Sequence, residues 1–114
     1  MTCLPVPVEA VFSALGEPGR LRIVELLRLG PHAVGDIVEG LGMRQPQVSK
    51  HLKVLAQAGL VRVQPRARHR IYHLDADAFE QMREWVDSFE ELWAARLDSL
   101  GRYLEELDEE ERDQ

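Results

Sequence analysis

Gln45, Gln47, Ser49 and Lys50 fall within one six-residue window. A glutamine amide can meet adenine at two atoms, a lysine ammonium donates to O6 and N7 of guanine, and a serine hydroxyl gives or takes a hydrogen bond. That is chemistry for the base edges of duplex nucleic acid. Around the window, residues 41 to 74 hold seven bases (Arg44, Lys50, Lys53, Arg62, Arg66, Arg68 and Arg70), three histidines and no acid, a net charge of +7. The 114-residue chain is acidic as a whole, at −6. Screening over about 8 Å at physiological salt lets a local patch govern close contact. Thirty-four consecutive residues without Asp or Glu, in a chain where acids are 20 of 114, have the character of a phosphate-facing surface.

Other chemistries find little support. Ser49 and His51 lie two apart, on different faces of any helix, without a third catalytic partner. There is no glycine-rich phosphate loop and no HExxH step, so no enzyme is expected. Cys3 is the one cysteine and cannot form an internal disulfide, and no CxxC pair exists for structural zinc. His32, His51, His69 and His73 are scattered, and neither a metal nor another cofactor is expected. No apolar run approaches the length of a membrane span, and MTCLPVPVEA lacks the features of a secretory signal, so a cytoplasmic protein without a membrane partner is expected.

The elements that must position these residues follow from periodicity. VEAVFSAL (8–15) spaces Val8, Val11, Phe12 and Leu15 as a short helix stopped by Gly16. Leu21 to Leu29 is apolar around most of its circumference and reads as a central helix. VGDIVEGL (34–41) gives a third helix closed by Gly42. From about 45 to 58, Val48, Leu52 and Leu55 form a packing stripe, while Gln47, Lys50, His51 and Lys53 lie away from it. Pro46 suits its first turn and Gly59 its end. Residues 60–64 and 70–74 alternate as two strands joined by the basic tip Pro65–His69, a hairpin whose wing spans about 62–73.

After Asp75 or Asp77 as N-cap, Phe79, Met82, Val86, Phe89, Trp93, Arg96, Leu100, Tyr103 and Leu107 recur at steps of three and four. A continuous helix of about 30 residues would reach roughly 45 Å, well beyond the radius of about 13 Å for a compact chain of this length. Its apolar stripe calls for cover by a second copy, giving a homodimer. Gly101 is a position where that helix could kink or end. The fold class is therefore mainly α with a small β-hairpin, in the order α-α-α-α-β-β-α. One domain over 1–107 and a disordered acidic tail over 108–114 are expected.

A short helix, a turn, a basic-faced helix and a basic hairpin make a winged helix-turn-helix, whose second helix enters the major groove. Gln45, Gln47, Ser49 and Lys50 then face bases. Arg44, Lys53 and the wing residues Arg66, Arg68, His69 and Arg70 hold the backbone. The segments ALGEPGRLRIVELL, VGDIVEGLGMRQPQVSKHLKVLAQAGLVRV and RIYHLD resemble the ArsR/SmtB-type bacterial repressors over roughly residues 8 to 75. The resemblance implies a sequence-specific transcriptional regulator, homodimeric through its first and last helices, that binds a palindromic operator in double-stranded DNA and usually represses its own operon. It adds Pro46 to the base contacts, beside Gln45, Gln47, Ser49 and Lys50.

The chain departs from that pattern where Arg44 stands for the frequent N-cap serine and Ala67 for the wing-tip glycine. It also departs at the metal sites. The stretch His32–Asp36 lacks the family's CxC thiolates, and no histidine follows His73 to make the HxxH step of the last helix. The chain is thus similar to a branch with an aromatic-rich last helix and no metal at the usual sites. Val8, Phe12, Met82, Val86, Phe89, Trp93, Leu100 and Tyr103 are the expected dimer interface, and the surplus of aromatic residues leaves room for a small-molecule effector. A protein-interaction module using the same fold without DNA is the other reading. Steep weakening of binding with salt favours DNA, because an apolar protein interface barely responds.

Overall fold

The computed structural model describes residues 6–112. The chain divides into two compact units, residues 1–82 and 83–114.

In the first unit, α1 (Val8–Leu15) and α2 (Pro18–Leu27) are followed by a two-residue strand β1 (His32–Ala33), α3 (Val34–Leu41), α4 (Gln45–Gln57), β2 (Val61–Arg66) and β3 (His69–Leu74). Helix α5 (Ala76–Asp87) begins in this unit and α6 (Glu90–Arg112) lies in the second. The carboxylate of Glu17 starts α2 by accepting from the backbone N–H of Arg20 at 2.9 Å, with Pro18 at the first helical position. Arg20 closes the preceding helix by donating from Nε to the carbonyl of Ala14 at 2.6 Å. Arg22 reaches the carbonyl of Leu41 at the end of α3 at 3.2 Å, so α2 serves the termini of both neighbours.

The core consists of Val11, Ala14, Ile23, Val24, Leu27, Ile37, Val48, Leu52, Leu55, Ala58, Leu60, Val61 and Ala78. Helix α2 contributes Ile23, Val24 and Leu27, but its apolar circumference is only partly used. Leu21 is 42% exposed, and Leu29, beyond the helix end, is 79% exposed.

The sheet is antiparallel in the order β1-β3-β2. Strand β1 is too short to leave an alternation in the sequence; it pairs His32 with Tyr72 and Ala33 with Ile71. The hairpin is tighter than the five-residue tip expected from sequence. Pairing runs from Val61↔Leu74 to Arg66↔His69, leaving only Ala67 and Arg68 in the turn. Pro65 belongs to β2, an edge strand, where a missing donor is tolerated. Ala67 has φ 55°, a left-handed conformation that glycine adopts without steric cost.

The last helical segment is two helices, not one. Ser88 and Phe89 separate α5 from α6, while Gly101 lies inside α6. The Ser88 hydroxyl donates to the carbonyl of Trp85 at 2.5 Å, an alternative to helical bonding that short polar side chains offer the backbone. Helix α6 continues through 105–112, where disorder was expected from residue 108, and Arg112 and Asp108 face each other at i,i+4 with 3.7 Å between charged atoms.

Candidate nucleic-acid interface

Helix α4 divides its residues between core and solvent. Val48, Leu52 and Leu55 are buried, whereas Gln45, Pro46, Gln47, Ser49, Lys50 and Lys53 are exposed. The helix begins on Arg44, whose backbone is extended and whose side chain makes no cap; Arg44 too is exposed. Before it, Gly42 takes φ 65° and its N–H bonds the carbonyl of Val38, making the turn between α3 and α4. At the other end Gly59 takes φ 78°. Its N–H bonds the carbonyl of Ala56 at 3.1 Å and that of Leu60 bonds Leu55 at 2.9 Å, the paired bonds of a Schellman stop. Both glycines were legible as stops in the sequence.

The wing presents Arg66, Arg68, His69 and Arg70, all exposed. Together with Arg44, Lys50 and Lys53, its three arginines have no acidic partner among the described residues. Arg62 differs. Its Nε lies 2.6 Å from the Asp75 carboxylate and one of its terminal nitrogens is 3.9 Å from Asp77, so its charge is spent on the start of α5. Asp75 also accepts from the backbone N–H of Asp77 at 3.0 Å and caps α5. Burial opposes the charged form of Asp75, but this backbone bond and the Arg62 guanidinium outweigh it and hold the carboxyl below the usual range.

His51 does not share the solvent face assigned to it from spacing. Its Nδ1 lies 3.7 Å from Glu17 Oε2, and its Nε2 is buried with no hydrogen-bond partner among the described residues. The ring packs against Gly19, where an added Cβ would sit 2.7 Å from Nε2. His51 therefore joins α4 to the start of α2. Glu17 is held below the usual carboxylate range, chiefly by the Arg20 and Gly19 backbone N–H groups, with His51 adding to the effect. Sequence spacing missed this contact because it fixes the angle of a residue on its own helix, not which neighbour stands there.

In the second unit no residue of α6 is buried, and Leu92, Trp93, Leu97, Leu100, Tyr103 and Leu104 are each more than half exposed. The Trp93 indole N–H reaches the carbonyl of Val86 at 3.2 Å across the α5–α6 joint, and the Trp85 and Phe89 rings meet edge-on at 4.8 Å. Of the expected interface residues, Val86, Trp93, Leu100 and Tyr103 are exposed on α5 and α6, Phe89 is exposed in the turn between them, and Phe12 is exposed on α1. Val8 and Met82 are half-buried, Met82 being packed on the core. No helix among the described residues is long and apolar enough to cross a membrane, and no group of three or more potential metal ligands occurs among them. Cys3 lies outside the described residues.

Three core-packed helices, a helix with an exposed polar and basic face, and a two-stranded wing define a winged helix-turn-helix DNA-binding domain. The family model of bacterial regulatory proteins of the arsR family matches residues 17–63. The chain is 36% identical over 97 residues to the HTH-type transcriptional regulator Rv2034 of Mycobacterium tuberculosis, covering 85% of this chain and 88% of that protein. It is 30% identical to the transcriptional repressor SdpR of Bacillus subtilis, over 69% of this chain and 88% of that one. In structure it is similar to the homodimeric winged helix-turn-helix DNA-binding domain Mb0332 of Mycobacterium bovis, with TM-score 0.61 and 28% identity, covering 74% of this chain and 79% of that one. The chain belongs to the ArsR family of transcriptional regulators.

Proposed function

We propose that this regulator is a homodimeric, non-catalytic repressor that binds a palindromic operator in double-stranded DNA, acts in the cytoplasm and controls its own operon. The observation that carries the reading is the set of exposed cations on α4 and the wing that no acid neutralises among the described residues. Gln45, Pro46, Gln47, Ser49 and Lys50 read base edges from the first turns of α4. Arg44, Lys53, Arg66, Arg68, His69 and Arg70 hold phosphates and contribute affinity more than sequence choice. Val8, Phe12, Met82, Val86, Phe89, Trp93, Leu100 and Tyr103 join the two copies. The homodimeric state of the Mycobacterium bovis domain supports this pairing.

The effector is not a metal at the usual family positions, because the chain offers no thiolate in 32–36 and no histidine after His73. Selection of bound sequences from a random duplex pool tests the reading. Enrichment of inverted repeats, with half-site centres about 10 to 10.5 base pairs apart or a multiple of that, is expected. No enrichment at low salt would overturn it.

A further inference from the structure

A recess of about 540 Å³ opens between α4, the wing and the start of α3. This volume lies in the range of small-molecule sites, roughly 300–1,000 Å³. Its lining has two parts. Val63, 44% exposed, and the half-buried Tyr72 supply apolar and aromatic surface, and Ser49, Lys53 and Arg70 supply polar groups. Neither Lys53 nor Arg70 has an acidic partner among the described residues. Two cations beside an apolar wall suit a ligand with one anionic head and a flat apolar body. The head meets charge-assisted hydrogen bonds, while the body covers Val63 and the Tyr72 ring. A phosphate group alone would fill a small part of this space and leave the apolar wall in water.

We propose that the recess binds a small aryl monoanion, of the aryl carboxylate or sulfonate class, whose occupation excludes duplex DNA. The exclusion rests on the DNA reading above, because Gln45, Ser49 and Lys53 line the recess and are also proposed DNA contacts. Ligand and DNA then compete for the same side chains, and each raises the apparent Kd of the other by one plus the ratio of its own concentration to its own Kd.

The test is titration of the full chain with naphthalene sulfonate, followed by amide chemical shifts, beside inorganic phosphate at matched ionic strength and displacement of a labelled duplex. Shifts concentrated in residues 45–56 and 63–72 are expected, with release of the duplex. Ala56 lines the recess outside the proposed DNA contacts, so Ala56→Leu fills it from α4. That variant should lose at least about tenfold in sulfonate affinity while retaining duplex binding. The proposal falls if inorganic phosphate produces the same shifts with equal affinity, if the sulfonate shifts only residues 92–107, or if Ala56→Leu binds it as wild type does. A wild-type chain that binds no duplex at low salt would remove the DNA reading instead, and the shift titration would still decide the recess.

Discussion

At the scale of single residues, Ala67 and Lys50 make opposite kinds of demand on the sequence. Ala67 holds φ 55° at the wing tip, where a Cβ is strained by about 1–2 kcal/mol in left-handed backbone. Glycine removes that strain but enlarges the unfolded ensemble, which returns part of the gain. Ala67→Gly should therefore stabilise the protein by about 0.5–1 kcal/mol, read as a higher urea midpoint at unchanged slope. A lower midpoint would mean that the turn is not strained. Lys50 is exposed on the first turns of α4 and makes no ion pair among the described residues, so its removal should cost little stability. Lys50→Ala should lose roughly 1–3 kcal/mol of operator affinity and relax base preference at one position of the site. Arg68→Ala should weaken all sequences about equally. Competition binding with operator variants separates the two, and unchanged operator affinity in Lys50→Ala would remove it from the reading set.

At the scale of elements, the join between wing and α5 depends on Asp75, which caps the helix and pairs with Arg62 on β2. Its carboxyl titrates below the usual range in the folded chain, so the folded state binds this proton less readily than the unfolded chain does. The stabilisation is present above the unfolded value of about 4 and is lost as pH falls through the folded one. Asp75→Asn keeps a capping oxygen and loses the charge. The stability gap between wild type and this variant should be largest near neutral pH and shrink below about pH 4, as measured by urea unfolding across pH. A gap that does not change with pH would contradict the assignment. Helix α4 is fixed from both sides, by its Schellman stop at Gly59 and by the His51 contact with Glu17 and Gly19. That anchoring holds the exposed residues of α4 in one orientation relative to α2.

At the scale of the whole molecule, α6 carries large apolar side chains that its own unit leaves exposed, Trp93 and Leu100 among them. The proposed dimer covers them by self-association. Trp93→Asp places a charge in that apolar stripe and should convert the dimer to monomer in sedimentation velocity at micromolar concentration. Trp93 is 51% exposed, so the first unit should retain its far-ultraviolet helix signal. A variant that stays dimeric would remove Trp93 from the interface. Loss of the dimer should also cost operator affinity, because the two half-sites would then be bound separately.

The acid-free segment, the packing stripe of α4, the glycine stops and the hairpin were all legible in the sequence, because each depends on residue type and on a period of 3.6 or 2. The family followed from the same stretch. Tertiary structure alone decided three things. Two residues at His32–Ala33 become a strand only because β3 offers a partner edge. His51 turns from solvent to Glu17, and Arg62 is taken from the basic surface by Asp75. Each rests on which groups meet across the fold, and a one-dimensional pattern records the order of residues but not those meetings.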